Sequence, residues 1–317
     1  MSGQLWLAPM EGVVDAPVRD LLTRLGGIDL CVTEFVRVVD NLLPPKVYHR
    51  LCPELKNGGR TPSGVPVRVQ LLGQNPSALA DNAARAIELG SPGIDLNFGC
   101  PAKTVNSSKG GAVLLKEPDT LYAILSAVRA AVPTEQLVTA KMRLGYDDAA
   151  LALDNARALE AGGASLLTIH ARTKADGYRP PAYWEWIPRI REVISIPIIA
   201  NGEIWSAADA ARCRSESACA DIMIGRGALA LPNLAAVIQQ QAAPMAWPAV
   251  LAMLIDYAAI APDDDEDGRY FPARLKQWFS YLKLAYPQAG ELFSRLRTYT
   301  TRHELVDQLQ QAVANPH

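Results

Sequence analysis

The chain contains no CxxC pair, no HExxH and no G-x-G-x-x-G after an apolar run. Its five cysteines, Cys31, Cys52, Cys100, Cys213 and Cys219, are odd in number and scattered, and its four histidines are far apart. These absences exclude a disulfide framework, a zinc site of ordinary spacing and a Rossmann-type dinucleotide turn, so reduced thiols and no metal are expected. No apolar run approaches the ~18 residues of a membrane span. Met1-Ser2-Gly3-Gln4 lacks the basic start of a signal peptide, so a cytoplasmic protein with no membrane partner is expected. Low-complexity segments, and repeats beyond the βα unit, are also missing.

An excess of one charge is missing too. Lys and Arg number 31 against 33 Asp and Glu, a net −2, which excludes a uniformly basic nucleic-acid coat. The distribution is nonetheless uneven. From Gly268 onward Arg269, Arg274, Lys276, Lys283, Arg295, Arg297 and Arg302 face only Glu291, Glu304 and Asp307, so the C-terminal part is locally basic. Just before it, Asp263-Asp264-Asp265-Glu266-Asp267 reads as a solvated, self-repelling loop.

What is present is an α/β alternation. At 317 residues and 49% hydrophobic content, the chain can bury one large domain and a smaller one. Eight short apolar runs recur: Leu5–Pro9, Leu30–Thr33, Val67–Leu72, Ile94–Asn97, Val138–Met142, Leu166–His170, Ile198–Asn201 and Ile222–Gly225. Stretches of helical spacing lie between them, among them 77–89, 119–132 and 149–161, with Gly90, Gly162 and Gly163 as stops. Eight βα units predict a (β/α)8 TIM barrel over residues 1–242. Helical patterns at 247–260, 272–285 and 303–314 then predict a small all-α domain over 243–317.

Functional groups of such a barrel sit where the strands end. Here those ends carry Pro9-Met10-Glu11-Gly12, Thr33-Glu34-Phe35, Gln70, Asn97 with Cys100, Lys141 with Arg143, His170 with Arg172, Asn201-Gly202-Glu203 and Gly225-Arg226-Gly227. Glycines after strands seven and eight, with Arg226 beside them, suit a phosphate. Lys141 in a barrel mouth suits an anionic partner; a structural ion pair with Glu34 or Glu203 is the alternative. Cys100, in a Gly-Cys-Pro turn at a strand mouth, can act as a proton donor or a nucleophile, or can simply pack. Gln70 can face a ligand or cap a backbone edge, and His170 can face a ligand or be a satisfied core imidazole.

Leu7-Ala8-Pro9-Met10-Glu11-Gly12, Leu96-Asn97-Phe98-Gly99-Cys100-Pro101, Lys141-Met142-Arg143-Leu144-Gly145, His170-Ala171-Arg172-Thr173, Ala200-Asn201-Gly202-Glu203-Ile204 and Ile224-Gly225-Arg226-Gly227-Ala228 follow one another in this order. Together they resemble the tRNA-dihydrouridine synthases, flavoenzymes with an FMN-binding barrel and a helical RNA-binding domain. Thr33–Asp40 and Ala273–Trp278 are most similar to the C-type branch, which acts on D-loop uridine 16. The resemblance implies FMN as cofactor, NADPH (or NADH) as reductant and tRNA as partner. It assigns FMN contacts to Pro9, Met10, Glu11, Gln70, Lys141, His170, Asn201, Gly202, Glu203, Gly225 and Arg226. Cys100 matches the general acid, which protonates C5 of a uracil that takes hydride at C6 from the flavin N5. Arg37, Asn97, Tyr178, Arg274, Lys276, Ser280 and Arg297 fall at positions that meet tRNA. Ser107 and Lys109 depart from the family, whose members often have glycine there. A monomer is expected. Three other readings stay open at this point: a flavoenzyme of a free pyrimidine or small enone, a flavin-free sugar-phosphate barrel, and a non-catalytic RNA-binding protein.

Overall fold

A computed structural model describes residues 3–262 and 268–314; the acidic block at 263–267 lies outside them. The first half of the barrel runs β1 (Leu5–Leu7), α1 (Ala16–Arg24), β2 (Leu30–Arg37), α2 (Pro45–Leu51), β3 (Val67–Leu72), α3 (Pro76–Glu88), β4 (Ile94–Phe98), α4 (Lys103–Asn106) and α5 (Pro118–Ala131). The second half runs β5 (Val138–Gly145), α6 (Ala152–Ala161), β6 (Leu167–Thr173), α7 (Trp186–Arg191), β7 (Ile198–Asn201), α8 (Ala207–Ser217), β8 (Ile222–Ile224), α9 (Arg226–Ala230) and α10 (Leu234–Gln240). Four helices follow: α11 (Trp247–Ile260), α12 (Tyr270–Leu282), α13 (Pro287–Leu296) and α14 (Arg302–Ala314). All eight strands are parallel and close on themselves, β1 pairing with both β2 and β8. The (β/α)8 barrel and the helical region after it are thus as expected.

Local chemistry sets the element ends. Asp15, Asn75 and Ser206 cap α1, α3 and α8 by accepting the N–H of Val18, Ala78 and Asp209, and proline opens α3, α5 and α13. One expectation needs correction. Thr33-Glu34-Phe35 does not close the second strand; the register slips between Val32 and Phe35 and the strand continues to Arg37. Such an irregularity re-aims side chains without ending the pairing.

Because strand side chains alternate, each strand turns one face to the helices and the other to the barrel interior. Leu5, Leu7, Ile94, Leu96, Ile222 and Ile224 join the shell of helices, whereas Trp6, Ala8, Leu30, Val32, Ile199 and Met223 form a separate apolar cluster. The alternate positions of β3, β4 and β5 are polar instead: Arg68, Gln70, Asp95, Asn97, Thr139 and Lys141. The barrel interior is therefore apolar on one side and hydrogen-bonding on the other.

The C-terminal helices bury Leu251, Leu254, Phe271, Leu275, Phe279, Leu296 and Leu305. They dock on the barrel through Trp278, whose indole Nε1 donates to Leu229 O at 3.1 Å, and through Tyr270, whose hydroxyl bonds the Asp15 carboxylate. Trp278 is thereby a core residue.

Candidate active site

Strand register gathers the polar residues into one ring. Gln70 stands opposite Asp95, Asn97 opposite Lys141, Arg143 opposite His170 and His170 opposite Asn201. Above them opens a cavity of about 590 Å³, a size suited to a small molecule or cofactor. It is lined by Pro9, Met10, Glu11, Gln70, Asn97, Cys100, Lys141, His170, Tyr178, Asn201, Gly202, Glu203, Gly225 and Arg226. Arg37, Arg274, Lys276, Ser280 and Arg297 lie outside its walls.

Cys100 sits in a turn made by its neighbours. Asn97 Oδ1 accepts the N–H groups of Gly99 and Cys100, both at 2.9 Å. Asn106 Nδ2 donates to Cys100 O at 2.9 Å, and Arg143 Nε donates to Gly99 O at 2.9 Å. Burial pushes the Cys100 thiol above its ordinary range, reinforced by Glu11 and opposed by the Ala102 N–H and by Arg143 and Lys141. The thiol is held protonated at neutral pH, the form a general acid requires.

Lys141 forms no ion pair or hydrogen bond among the described residues, so neither Glu34 nor Glu203 is its partner. Glu34 instead accepts the Gly12 N–H, and Glu203 is held by Arg172, by Trp205 Nε1 at 2.9 Å and by Arg226 at 3.7 Å. Burial and the nearby Arg143 push the Lys141 ammonium down to about 8. His170 is pushed well below its usual value, first by burial and then by Arg143, Lys141 and Arg172, and stays neutral. Against it packs Gly202, with φ +117 and only 2.8 Å between the place of a Cβ and His170 Cδ2; glycine is required here.

At the mouth, the half-exposed Tyr178 ring lies over two guanidinium groups, Arg226 at 4.7 Å and Arg143 at 5.2 Å. Its centroid is 6.0 Å from that of His170. Tyr281 of α12 also lines the cavity, so the helical region completes one wall.

The remaining sequence candidates surround this mouth. Arg37 Nη2 bonds Ser108 Oγ at 2.6 Å, tying β2 to the segment after Cys100. In that segment Lys109 takes φ +54, the left-handed conformation that glycine adopts freely. Arg274 is 3.6 Å from Asp15. Lys276 Nζ donates to Arg297 O at 3.1 Å and Tyr299 O at 2.6 Å, bracing the end of α13. Ser280 and Arg297 are exposed. Sequence reasoning gave no role to Trp205 or to Arg143 as the tie on the cysteine turn. Arg143 closes a strand in the sequence, which was the available signal; Trp205 had none. Among the described residues no cluster of His, Cys, Asp or Glu is placed to hold a metal, and no helix is long and apolar enough to cross a membrane.

Known proteins share both sequence and fold. A sequence model described as Dihydrouridine synthase (Dus) matches residues 6–316. The tRNA-dihydrouridine(16) synthase of Shewanella oneidensis is 58% identical over 309 residues, spanning 96% of this chain and 97% of that protein. The Haemophilus influenzae protein of the same name is 54% identical over 300 residues, or 94% and 96%. Among solved structures, a 2-naphthoyl-CoA reductase complex gives a TM-score of 0.57 at 13% identity, covering 75% of this chain and 50% of its own. The old yellow enzyme homologue from Zymomonas mobilis gives 0.51 at 13%, covering 76% and 90%. Those two likenesses concern the fold alone. The sequence match, end to end and at more than half identity, is decisive: this chain belongs to the dihydrouridine synthase family.

Proposed function

We propose that this chain reduces uridine 16 in the D-loop of tRNA to 5,6-dihydrouridine, with FMN as resident cofactor and NADPH as reductant. The observation that carries the proposal is Cys100, a thiol kept protonated by burial in a turn built by Asn97, facing a cavity whose other walls carry Lys141, His170 and Arg226.

The cavity fits FMN in its charge. Lys141, Arg143 and Arg226 line it against Glu11 and Glu203, and Glu203 is already engaged by Arg172. A half-buried ammonium without an ion pair favours an anionic ligand group. Pro9, Met10, Glu11, Gln70, Lys141, His170, Asn201, Gly202, Glu203, Gly225 and Arg226 would hold the cofactor, whose contribution when bound is hydride transfer.

The protein supplies orientation and a proton. The Sγ–H bond of Cys100 breaks as C5 of the uracil gains that proton, and Arg143 and Lys141, which both favour the thiolate, steady the charge left behind. Solvent then reprotonates the sulfur. The base must leave its stack to reach the cavity, and the exposed Tyr178 ring together with Asn97 would receive it. We assign catalysis to residues 1–242 and RNA backbone contacts to 243–317 with Arg37. There Arg274, Lys276, Ser280 and Arg297 are the candidates. The protein would act as a monomer in the cytoplasm, where its substrate is.

The test is to map dihydrouridine in tRNA from cells lacking the protein and to compare purified protein on unmodified tRNA and on free uracil. Loss of the modification at position 16 and reduction of tRNA alone are expected. Persistence of the modification, or equal turnover of free uracil, contradicts the proposal.

A further inference from the structure

Behind the cavity wall, polar groups of β3, β4 and β5 form one continuous hydrogen-bonded chain. Arg68 Nη1 donates to Thr139 Oγ1 at 3.2 Å, and Thr139 Oγ1 donates to Asp95 Oδ1 at 2.6 Å. Gln70 Nε2 donates to Asp95 Oδ2 at 2.7 Å, and Asn97 Nδ2 donates to Gln70 Oε1 at 2.8 Å. Asn97 Oδ1 then accepts the Gly99 and Cys100 N–H groups. Every side chain in it is buried.

The direction of each bond is forced. A guanidinium and a backbone N–H can only donate, and a carboxylate can only accept. Asp95 therefore turns Gln70 so that Nε2 faces it, which leaves Oε1 toward Asn97. Asn97 must answer with Nδ2, which leaves Oδ1 for the cysteine turn. The Gly99 and Cys100 N–H groups hold Asn97 Oδ1 from the other end, so a group at position 95 able to donate would let Gln70 alone invert and present N–H to Asn97 Nδ2, loosening the amide that holds the turn.

We infer that Asp95 is a positioning residue for Cys100: its carboxylate, accepting at both oxygens, fixes the Gln70 amide, which in turn braces the Asn97 amide that holds the cysteine turn. Burial pushes the Asp95 carboxyl above its ordinary range, opposed by the hydrogen bonds from Gln70 and Thr139 and by Arg68 and Lys141; both of its oxygens accept here. The inference rests on Cys100 being the group that meets the substrate, but its effect can be read without substrate.

The experiment is alkylation of the full-length native protein with iodoacetamide, with modified cysteines located by peptide mass spectrometry. The other four cysteines are no more than 2% exposed, whereas Cys100 lines the cavity. Asp95→Asn should raise the alkylation rate of Cys100 about tenfold, the worth of one buried hydrogen bond, and lower its pH midpoint as the turn opens to water. Thr139→Val should shift the rate in the same direction, and Thr139→Ser should restore it. A folded Asp95→Asn whose Cys100 reacts within about twofold of the parent overturns the inference, because a merely structural role would lower the melting temperature and leave the thiol unchanged. Where Asp95→Asn does not fold, the Thr139 pair decides: equal rates for Val and Ser overturn it. If the alkylation results hold while the parent forms no dihydrouridine in tRNA, the positioning role stands and the proposed function fails.

Discussion

Arg143 Nε donates to the carbonyl of Gly99 at 2.9 Å, one residue before Cys100. The same guanidinium donates to Thr173 O and Gly177 O, both at 2.8 Å, so one buried cation joins the cysteine turn to the segment that carries Tyr178. Arg143→Met keeps most of the stem and removes all three bonds. A shift of the thiol by about 1 Å should lower kcat on tRNA roughly 10²-fold, with a smaller change in KM. Steady-state kinetics on unmodified tRNA measure this, and an unchanged kcat would show that the turn does not need Arg143.

Lys141 gives the site a pH dependence whose sign follows from its surroundings. Burial and Arg143 push its ammonium down to about 8, and an anionic ligand group beside it would raise that value again. Binding is then coupled to proton uptake: FMN affinity is full below pH 8 and falls as pH rises through that value, by up to about tenfold per unit. Titration of the flavin-free protein with FMN from pH 7 to 10 measures the slope. Lys141→Gln should bind more weakly and lose this dependence; a slope shared by both proteins would exclude Lys141 as its source.

Gly202 combines backbone strain with lack of room. With φ +117 and a Cβ position 2.8 Å from His170 Cδ2, Gly202→Ala should cost about 3 kcal/mol of stability and weaken FMN retention as the imidazole is displaced. Gly58 has φ +64 and nothing within 4 Å, so Gly58→Ala should cost only about 1 kcal/mol. Denaturant unfolding of the two variants makes the comparison. Equal losses would mean that the contact with His170 carries no energy.

The barrel was legible in the sequence because each strand is a short apolar run with a polar or glycine end, and one period-2 pattern specifies both cores. The second strand was read too short because Thr33 and Glu34 interrupt its apolar character, while the chain absorbs them in a register slip. Helix α13 escaped notice because its ten residues include Gly290 and open on Pro287, which together read as a turn. Strand-end chemistry exposed Cys100, Lys141 and His170, each of which lines the cavity. Two things were not legible, since both depend on contacts between distant segments: the bracing of Arg297 and Tyr299 by Lys276, and the hydrogen bond from Gln70 to Asp95 that orients the Gln70 amide.

That bracing separates two basic residues of the helical region. Arg297 is exposed, so Arg297→Ala should weaken tRNA binding and flatten its salt dependence by nearly one charge, with stability unchanged within about 0.5 kcal/mol. Lys276 holds two carbonyls, so Lys276→Ala should lower tRNA affinity and also cost about 1 kcal/mol of stability. Binding at several salt concentrations and thermal unfolding distinguish them. Should neither variant change the salt slope, RNA does not contact this face.

The proton carried by Cys100 is the centre of the proposed chemistry. The decisive measurement is mass-spectrometric quantification of dihydrouridine at position 16 of unmodified tRNA after incubation with NADPH and either the parent protein or Cys100→Ala. Loss of a general acid should slow conversion by about 10²-fold or more, with FMN content and tRNA affinity unchanged. Conversion by Cys100→Ala at the parent rate would contradict the assignment of Cys100 as the proton donor.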